Sequence, residues 1–321
     1  MASSRPSLLI TEPDDFPPPV LDSLRTWTEV HLGPIAPGSL GATFASHDIV
    51  WAGLRHRLRG ADIPAGCRCR ILAVPVTGLD HIDLDGCAAA NIRVASLRGE
   101  VAFLRNIRPT AEHTIALVLA LLRRLPAAHA SVLEGRWDRE AFQGHELYGG
   151  TAGIIGMGRL GTALARYYHA FDMRVLGHDT RADFPEGPAR RCDSLDELLA
   201  ESDIISVHVA YHPGTRHLIH AGNLARVRPG AVLVNTARGG VIDDTALLDA
   251  LRSGRLAGAA LDVVDGEPDV GRDHPLVRYA REHENLILTP HIAGNTTESR
   301  EKTAAFVAQK VRQMWMESPE R

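Results

Sequence analysis

The run Gly156-Met-Gly-Arg-Leu-Gly161 limits the possible folds of this chain more than any other feature, because of what flanks it. An apolar strand, Ala152–Ile155, leads into it, and a helix, Gly161–Ala170, leaves it. The next strand, Arg174–Gly177, is followed by Asp179, eighteen positions past Gly161. Each glycine has a steric reason in such a turn. Gly156 permits the sharp bend, Gly158 lets the backbone approach a diphosphate, and Gly161 lets the helix lie against the sheet. Met157, Arg159 and Leu160 complete the turn, and the helix N-terminus offers free N–H groups and partial positive charge to an anion. The arrangement predicts a dinucleotide site. Asp179 predicts NAD rather than NADP, since a carboxylate accepts hydrogen bonds from ribose hydroxyls and repels a 2′-phosphate, although nearby Arg181 softens that preference.

Around this turn the chain alternates strands with segments able to cross over a sheet. Ala152–Ile155, Arg174–Gly177, Ile204–Val209, Ala231–Asn235, Gly258–Val263 and Leu286–Leu288 read as six strands of a doubly wound sheet. The first hundred residues carry their own rhythm. Strands at Ser7–Glu12, Thr28–Leu32, Asp48–Ala52, Arg70–Val76 and Ile92–Ser96 alternate with helices at Pro19–Trp27 and Ile82–Ala90, with a turn at Pro17–Pro19. A long apolar helix, Thr110–Leu125, opens at Thr110 as its cap, and the amphipathic helix Thr296–Met316 packs back on the first domain. With 321 residues, the reading is an α/β protein of two Rossmann-like doubly wound domains. The smaller, flavodoxin-like and substrate-binding, spans 1–108 with 295–321. The larger, dinucleotide-binding, spans 109–294.

Composition excludes several other classes. A formal net charge of −4 gives no reason to expect a nucleic-acid partner, since the phosphate backbone selects for a basic face. Lys302 and Lys310 are the only lysines, so arginine carries nearly all the positive charge. Cys67, Cys69, Cys87 and Cys192 lack metal or redox spacing and read as structural thiols of a reducing compartment. Met1 to Pro13 has no apolar core or cleavage signature, and no window reaches roughly 18 uninterrupted apolar residues, so neither a signal peptide nor a membrane span is expected. The expected location is the cytoplasm. About thirty residues follow His291, so no appended regulatory domain is expected.

Three short segments fall where strands of the second half end: Asn235-Thr-Ala-Arg-Gly239, Leu261-Asp-Val-Val-Asp-Gly-Glu-Pro268 and Thr289-Pro-His-Ile-Ala-Gly294. In an open α/β sheet the ligand lies beyond the carboxyl ends of the strands, so Arg238, Glu267 and His291 are expected to converge there. Arg238 can hold a carboxylate with a two-pronged hydrogen bond. His291 can give a proton to a keto oxygen as hydride reaches the carbon, or take it back in oxidation. Glu267, bonded to the imidazole, would raise its pKa and fix its tautomer. No metal is needed, because arginine and imidazolium supply the electrophilic stabilisation. Thr236, Ala237, Gly294 and the strand-end His208 are further candidates for cofactor contact.

Here the chain resembles the D-isomer-specific 2-hydroxyacid dehydrogenases over nearly its whole length. The matching stretches are Thr77-Gly-Leu-Asp-His-Ile-Asp83, Ala111-Glu-His-Thr114, Gly153–Gly161, Asp203–Val209, Asn235–Gly239, Leu261–Pro268 and Thr289-Pro-His291. The long crossover from Gly99 to Glu112 is similar to a 3-phosphoglycerate dehydrogenase-like branch. The resemblance implies that Arg238, Glu267 and His291 fill the roles just argued. It also implies that Asp262 binds the nicotinamide carboxamide, that the backbone of the Val76–Leu79 loop receives the substrate carboxylate, and that the second domain forms a homodimer. Glu267, where formate dehydrogenases of the superfamily carry Gln, argues against that activity. Pro75-Val-Thr-Gly78, where phosphite dehydrogenases carry a Lys, argues against that one. One departure is Ala210, in place of the usual Pro two residues after His208, followed by Tyr211 and His212.

The implied substrate is a small anionic 2-hydroxy or 2-keto acid. Leu54, Arg55, Val76, Thr77, Gly78 and Arg105 are the candidate substrate contacts. Arg98, Arg105 and Arg108 are candidates for reading a phosphate or phosphonate on it. The alternative reading is an NAD(H)-sensing binding protein of corepressor type, which keeps the cofactor site and the trio but recruits a partner peptide.

Overall fold

The computed structural model describes residues 5–14, 16–36 and 38–317. The outermost positions of the expected domain limits, 1–4 and 318–321, and the start of the Met1–Pro13 segment, lie outside the described residues. The chain divides into two compact units, Met1–Asn106 with Thr297–Arg321, and Ile107–Thr296.

The first unit carries β1 (Ser7–Ile10), α1 (Pro18–Arg25), β2 (Glu29–Leu32), α2 (Leu40–Thr43), β3 (Ile49–Trp51), β4 (Ile71–Val74), α3 (Leu84–Ala89), β5 (Arg93–Ser96), α4 (Val101–Leu104) and α12 (Thr297–Met316). Its five strands run parallel in the order β2-β1-β3-β4-β5, the flavodoxin-like winding. The apolar runs Ser7–Ile10 and Ile71–Val74 are buried throughout, as strands covered on both faces must be. Helix α12 returns to this unit and lies against β4, β5 and α1, as its amphipathic pattern predicts. Lys310 fixes it, donating to the Ser96 carbonyl at 3.0 Å and pairing with Glu100. Pro17–Pro19 is the start of α1 rather than a free turn: Pro17 is the cap and Pro18 opens the helix, where a missing N–H costs nothing.

The second unit carries α5 (Pro109–Leu122), α6 (Leu125–Leu133), β6 (Thr151–Ile155), α7 (Arg159–Ala170), β7 (Arg174–His178), β8 (Ala189–Arg191), α8 (Leu195–Glu201), β9 (Ile204–Val207), α9 (Ala221–Leu224), β10 (Ala231–Asn235), α10 (Asp244–Arg252), β11 (Leu256–Leu261), α11 (Pro275–Glu282) and β12 (Leu286–Leu288). Its sheet has seven parallel strands, not six, in the order β12-β11-β10-β9-β6-β7-β8. The extra strand, β8, is a three-residue edge, Ala-Arg-Arg, whose charge hides it from an apolar-run criterion. Successive residues feed opposite faces. Ile154, Val232 and Val234 join the core under α5 and α7, while Ile155, Leu233 and Val207 join the core on the other side.

Two helix starts differ from expectation. The cap of α5 is Arg108, with Pro109 at the first helical position, so Thr110 is inside the first turn. Helix α7 begins at Arg159 with Gly158 as its cap. Among the described residues no single helix is long and apolar enough to cross a membrane.

Candidate active site

The turn after β6 lies where the strand order reverses, between β6 and β9. Gly156 is left-handed, at φ 94°, and a Cβ there would sit 2.7 Å from the His208 carbonyl oxygen at the end of β9. A Cβ on Gly161 would lie 2.1 Å from the Gly156 carbonyl oxygen. At Gly158 it would meet nothing within 4 Å, and no side chain caps α7. A helix N-terminus without a side-chain cap, at an open glycine turn, fits a diphosphate. Met157 is buried, with its N–H donating to Asp179 Oδ2 at 2.8 Å, and Leu160 packs partly buried against the core. The Arg159 guanidinium turns to the Ile107 carbonyl at 2.5 Å.

Asp179 does not stand alone. Arg181 donates to its Oδ1 from the backbone N–H at 2.9 Å and from Nε at 3.2 Å, and reaches the Met157 carbonyl at 3.0 Å. Burial pushes the Asp179 carboxyl up, but hydrogen bonds from Arg181 and the Met157 N–H outweigh it and hold the acid below its ordinary value. His208 receives 2.7 Å contact from Ser206 Oγ at Nε2, and its Nδ1 is buried with no partner. Burial pushes this imidazole down to about 3, so it stays neutral. An uncharged ring with an unused ring nitrogen beside the glycine turn suits contact with a neutral part of a cofactor.

The strand-end loops of β10, β11 and β12 are neighbours because the strands are. Asn235 shapes the first: its Oδ1 accepts the Ala237 N–H and its Nδ2 donates to the Arg238 carbonyl, both at 2.9 Å. Arg238 is partly buried and donates from Nη1 to the Ala237 carbonyl at 2.8 Å. Gly239 then presses on the second loop, where a Cβ would lie 1.9 Å from the Val264 carbonyl carbon, so the Arg238 and Glu267 loops touch backbone to backbone. Glu267 in turn meets the third loop: its Oε1 lies 2.9 Å from His291 Nδ1, with both side chains 26% exposed. The contact occupies Nδ1 and leaves Nε2 as the second ring nitrogen of His291. Tyr211, beyond the Ala210 departure, packs its ring 2.8 Å from where a Cβ on Gly240 would be.

Asp262 is fully enclosed. Its Oδ1 accepts the Thr289 hydroxyl at 2.6 Å and the Ile292 N–H at 2.9 Å, and its Oδ2 accepts the Ala293 N–H at 2.8 Å. Here it organises the loop of His291, whatever it also offers a cofactor. Thr236 is buried and bonded to Thr114 at 2.9 Å, and exposed Gly294 lies opposite Thr110. His113, which approaches Asp262 Oδ1 at 3.4 Å, has no role in the sequence reading. The only signal for it is its place in the stretch Ala111-Glu-His-Thr114.

The expected substrate contacts belong to the first unit. Leu54 and exposed Arg55 follow β3, Val76, Thr77 and Gly78 follow β4, and Arg105 is exposed after α4. Glu12, after β1, joins this edge, accepting the Gly53 N–H at 3.1 Å and lying 3.7 Å from buried His56.

With this geometry in hand, a family profile described as D-isomer specific 2-hydroxyacid dehydrogenase, NAD binding domain, matches residues 115–293. The chain belongs to that family, and NAD is the cofactor of the matched domain. It is 38% identical over 256 residues to a D-3-phosphoglycerate dehydrogenase of Mycobacterium tuberculosis, covering 78% of this chain and 46% of the relative. The chain thus spans about half the length of such curated relatives. The D-lactate dehydrogenase of Aquifex aeolicus, solved with NAD and lactic acid, superposes with a TM-score of 0.82 at 29% identity, covering 97% of this chain and 95% of that one. An acyclic imino acid reductase solved with NADPH and D-Arg gives 0.82 at 25% identity, covering 98% of both chains.

Proposed function

We propose that this chain is an NAD-dependent dehydrogenase interconverting a small anionic 2-hydroxy acid and its 2-keto acid. The observation that carries the reading is the 2.9 Å pair of His291 Nδ1 and Glu267 Oε1, on loops adjoining that of Arg238. Bound NADH supplies a hydride to the keto carbon. Arg238 binds the carboxylate and orients the keto oxygen. His291 Nε2–H gives that oxygen a proton, and Glu267 stabilises the imidazolium and fixes its tautomer. The glycine turn 156–161, Asp179, His208, Thr236, Ala237, Asp262 and Gly294 make the cofactor side. The smaller unit is the substrate-binding domain, and its Leu54, Arg55, Val76, Thr77, Gly78 and Arg105 make the substrate side.

The substrate class we favour is a phosphorylated or phosphonate-bearing acid, read by Arg98, Arg105 and Arg108. Arg98 and Arg105 are exposed at the end of β5 and just after α4, and the curated relatives are named for a phosphorylated hydroxy acid. NADH oxidation across glyoxylate, hydroxypyruvate, 3-phosphohydroxypyruvate and a phosphonate analogue tests both layers. Turnover lost in His291→Ala supports the dehydrogenase. An unchanged KM for the phosphorylated acid in the Arg105→Ala, Arg108→Ala double variant removes the phosphate reading. NADH binding without any turnover favours the sensing alternative.

The second unit is also the proposed homodimer surface. Leu125, Val132, Leu133, Trp137 and Tyr148 are exposed along and after α6, Trp137 by 88%. Apolar side chains so gathered call for a partner, and a symmetric copy is the simplest one. Sedimentation equilibrium of the wild type against Leu133→Glu/Trp137→Glu checks it: a monomeric wild type rejects the dimer. We place the protein in the reducing cytoplasm, where its four free cysteines persist as thiols.

A further inference from the structure

The second turn of α5 reaches both catalytic loops. His113 Nε2 lies 3.2 Å from Thr289 Oγ1 and 3.4 Å from Asp262 Oδ1. The Thr289 hydroxyl proton is already committed to Asp262 Oδ1, at 2.6 Å. Thr289 Oγ1 can then only accept, which makes His113 Nε2 the protonated ring nitrogen. The next residue on the helix repeats the pattern. Thr114 donates to the Thr110 carbonyl at 2.7 Å, so the 2.9 Å contact between Thr114 and Thr236 is a donation from Thr236. One helical turn thus holds the loop of His291 through His113 and the loop of Arg238 through Thr114.

The His291 loop needs such a hold. Its backbone at His291 is left-handed, at φ 54°, in a region that side-chain-bearing residues rarely occupy. What imposes it is Asp262. The Asp262 carbonyl accepts the His291 N–H at 2.8 Å, and the carboxylate accepts the two following N–H groups. That carboxylate has no solvent exposure, so every donor around it matters to its orientation. His113 and Thr289 are the two side-chain donors.

Resting on the dehydrogenase reading above, we propose that His113 is a positioning residue. Its Nε2–H, acting through Thr289 and Asp262, fixes the 289–293 loop so that His291 meets Glu267 and the substrate. Thr114, one residue on, sets the Arg238 loop from the same turn. The proton donor and the carboxylate clamp are therefore registered against each other by α5, which itself packs on β10, β11 and β12. Sub-ångström errors between such groups are costly to rate.

The test compares His113→Leu, which keeps bulk without a donor, with His113→Gln, whose amide N–H reaches about as far as Nε2. Expected in His113→Leu is a loss of about 10²-fold in kcat that exceeds the accompanying weakening of NADH binding, followed by fluorescence quenching, by about tenfold or more. His113→Gln should recover most of that loss. In protein labelled with ring-¹³C histidine, the Cε1–H resonance of His291, assigned by its disappearance in His291→Gln, should move in the Leu variant and return in the Gln variant. Unchanged kcat in His113→Leu, or equal impairment of both variants, overturns the proposal. A wild type inert toward every keto acid would instead withdraw the dehydrogenase reading. The resonance comparison would still decide whether His113 positions His291: a signal unmoved in His113→Leu rejects it.

Discussion

His291 Nδ1 lies 2.9 Å from Glu267 Oε1, although the two residues come from loops after different strands. In the proposed reaction that contact engages Nδ1 and leaves Nε2 to face the substrate. His291→Ala should lower kcat by about 10²–10⁴-fold, the usual worth of a positioned acid–base group. Glu267→Gln keeps a hydrogen-bond acceptor for Nδ1–H but removes the charge that stabilises the imidazolium, so its loss should be smaller, about 10²-fold. Steady-state kinetics with NADH held saturating checks the order of the two. Equal losses would mean that Glu267 does more than support the ring.

In the proposed reaction Arg238 should behave differently, because its assigned role is to bind as well as to orient. Arg238→Lys keeps the charge and loses the planar fork, so the keto acid KM should rise by about 10–100-fold with NADH affinity intact. Loss in kcat alone would place Arg238 away from the carboxylate.

How much of this was legible in the residues follows physical lines. The strands β6, β9, β10 and β11 are apolar runs because both their faces are covered, and an apolar run can be read without coordinates. Edge strand β8, with two arginines in three residues, satisfies no such rule. Gly156 and Gly161 were legible because backbone crowding leaves only glycine a place there. The Asp179–Arg181 clasp was foreshadowed only as proximity in sequence. The His113–Thr289 contact spans 176 positions, and nothing local to either residue encodes it. Thr110 misled as a cap because the proline before it already supplies the helix start.

The clasp itself makes a prediction about cofactor choice. Arg181 is held by Asp179 and by the Met157 carbonyl, close to where a ribose would bind. Asp179→Ser frees that guanidinium and removes the charge that repels a 2′-phosphate. The ratio of kcat/KM for NADPH to that for NADH should then rise by about 10²-fold. A ratio unmoved by the substitution would separate Asp179 from the ribose site.

Gly161 tests the turn sterically. An added methyl would sit 2.1 Å from the Gly156 carbonyl oxygen, which is backbone and cannot swing aside. Gly161→Ala should push α7 off the sheet, destabilising the fold by about 1–3 kcal/mol and weakening NADH binding by about tenfold or more. Gly158→Ala, with open space at its Cβ, should leave stability nearly untouched and act on binding alone. Chemical denaturation and NADH titration of the two variants distinguish these outcomes.

Asp244 gives the pH dependence. Burial pushes its carboxyl up to about 6, opposed by His274 at 3.8 Å and assisted by the neighbouring charges of Asp265 and Asp243. A folded value raised above the ordinary 3.8 means that the native state holds this proton more tightly than the unfolded chain does. The favourable contribution is full below about pH 4, shrinks as pH rises toward 6, and is gone above it, where an ionised buried acid is a cost. Asp244→Asn removes the ionisation, so the variant should gain about 1–2 kcal/mol over the wild type at pH 8, after the lost attraction to His274 is discounted. That is roughly 2–4 °C in Tm for a chain of this size. The gain should fade on lowering the pH through 6 and vanish near 4. A Tm difference of the same size at pH 5 and pH 8 would show that the substitution acts through packing and that Asp244 titrates normally.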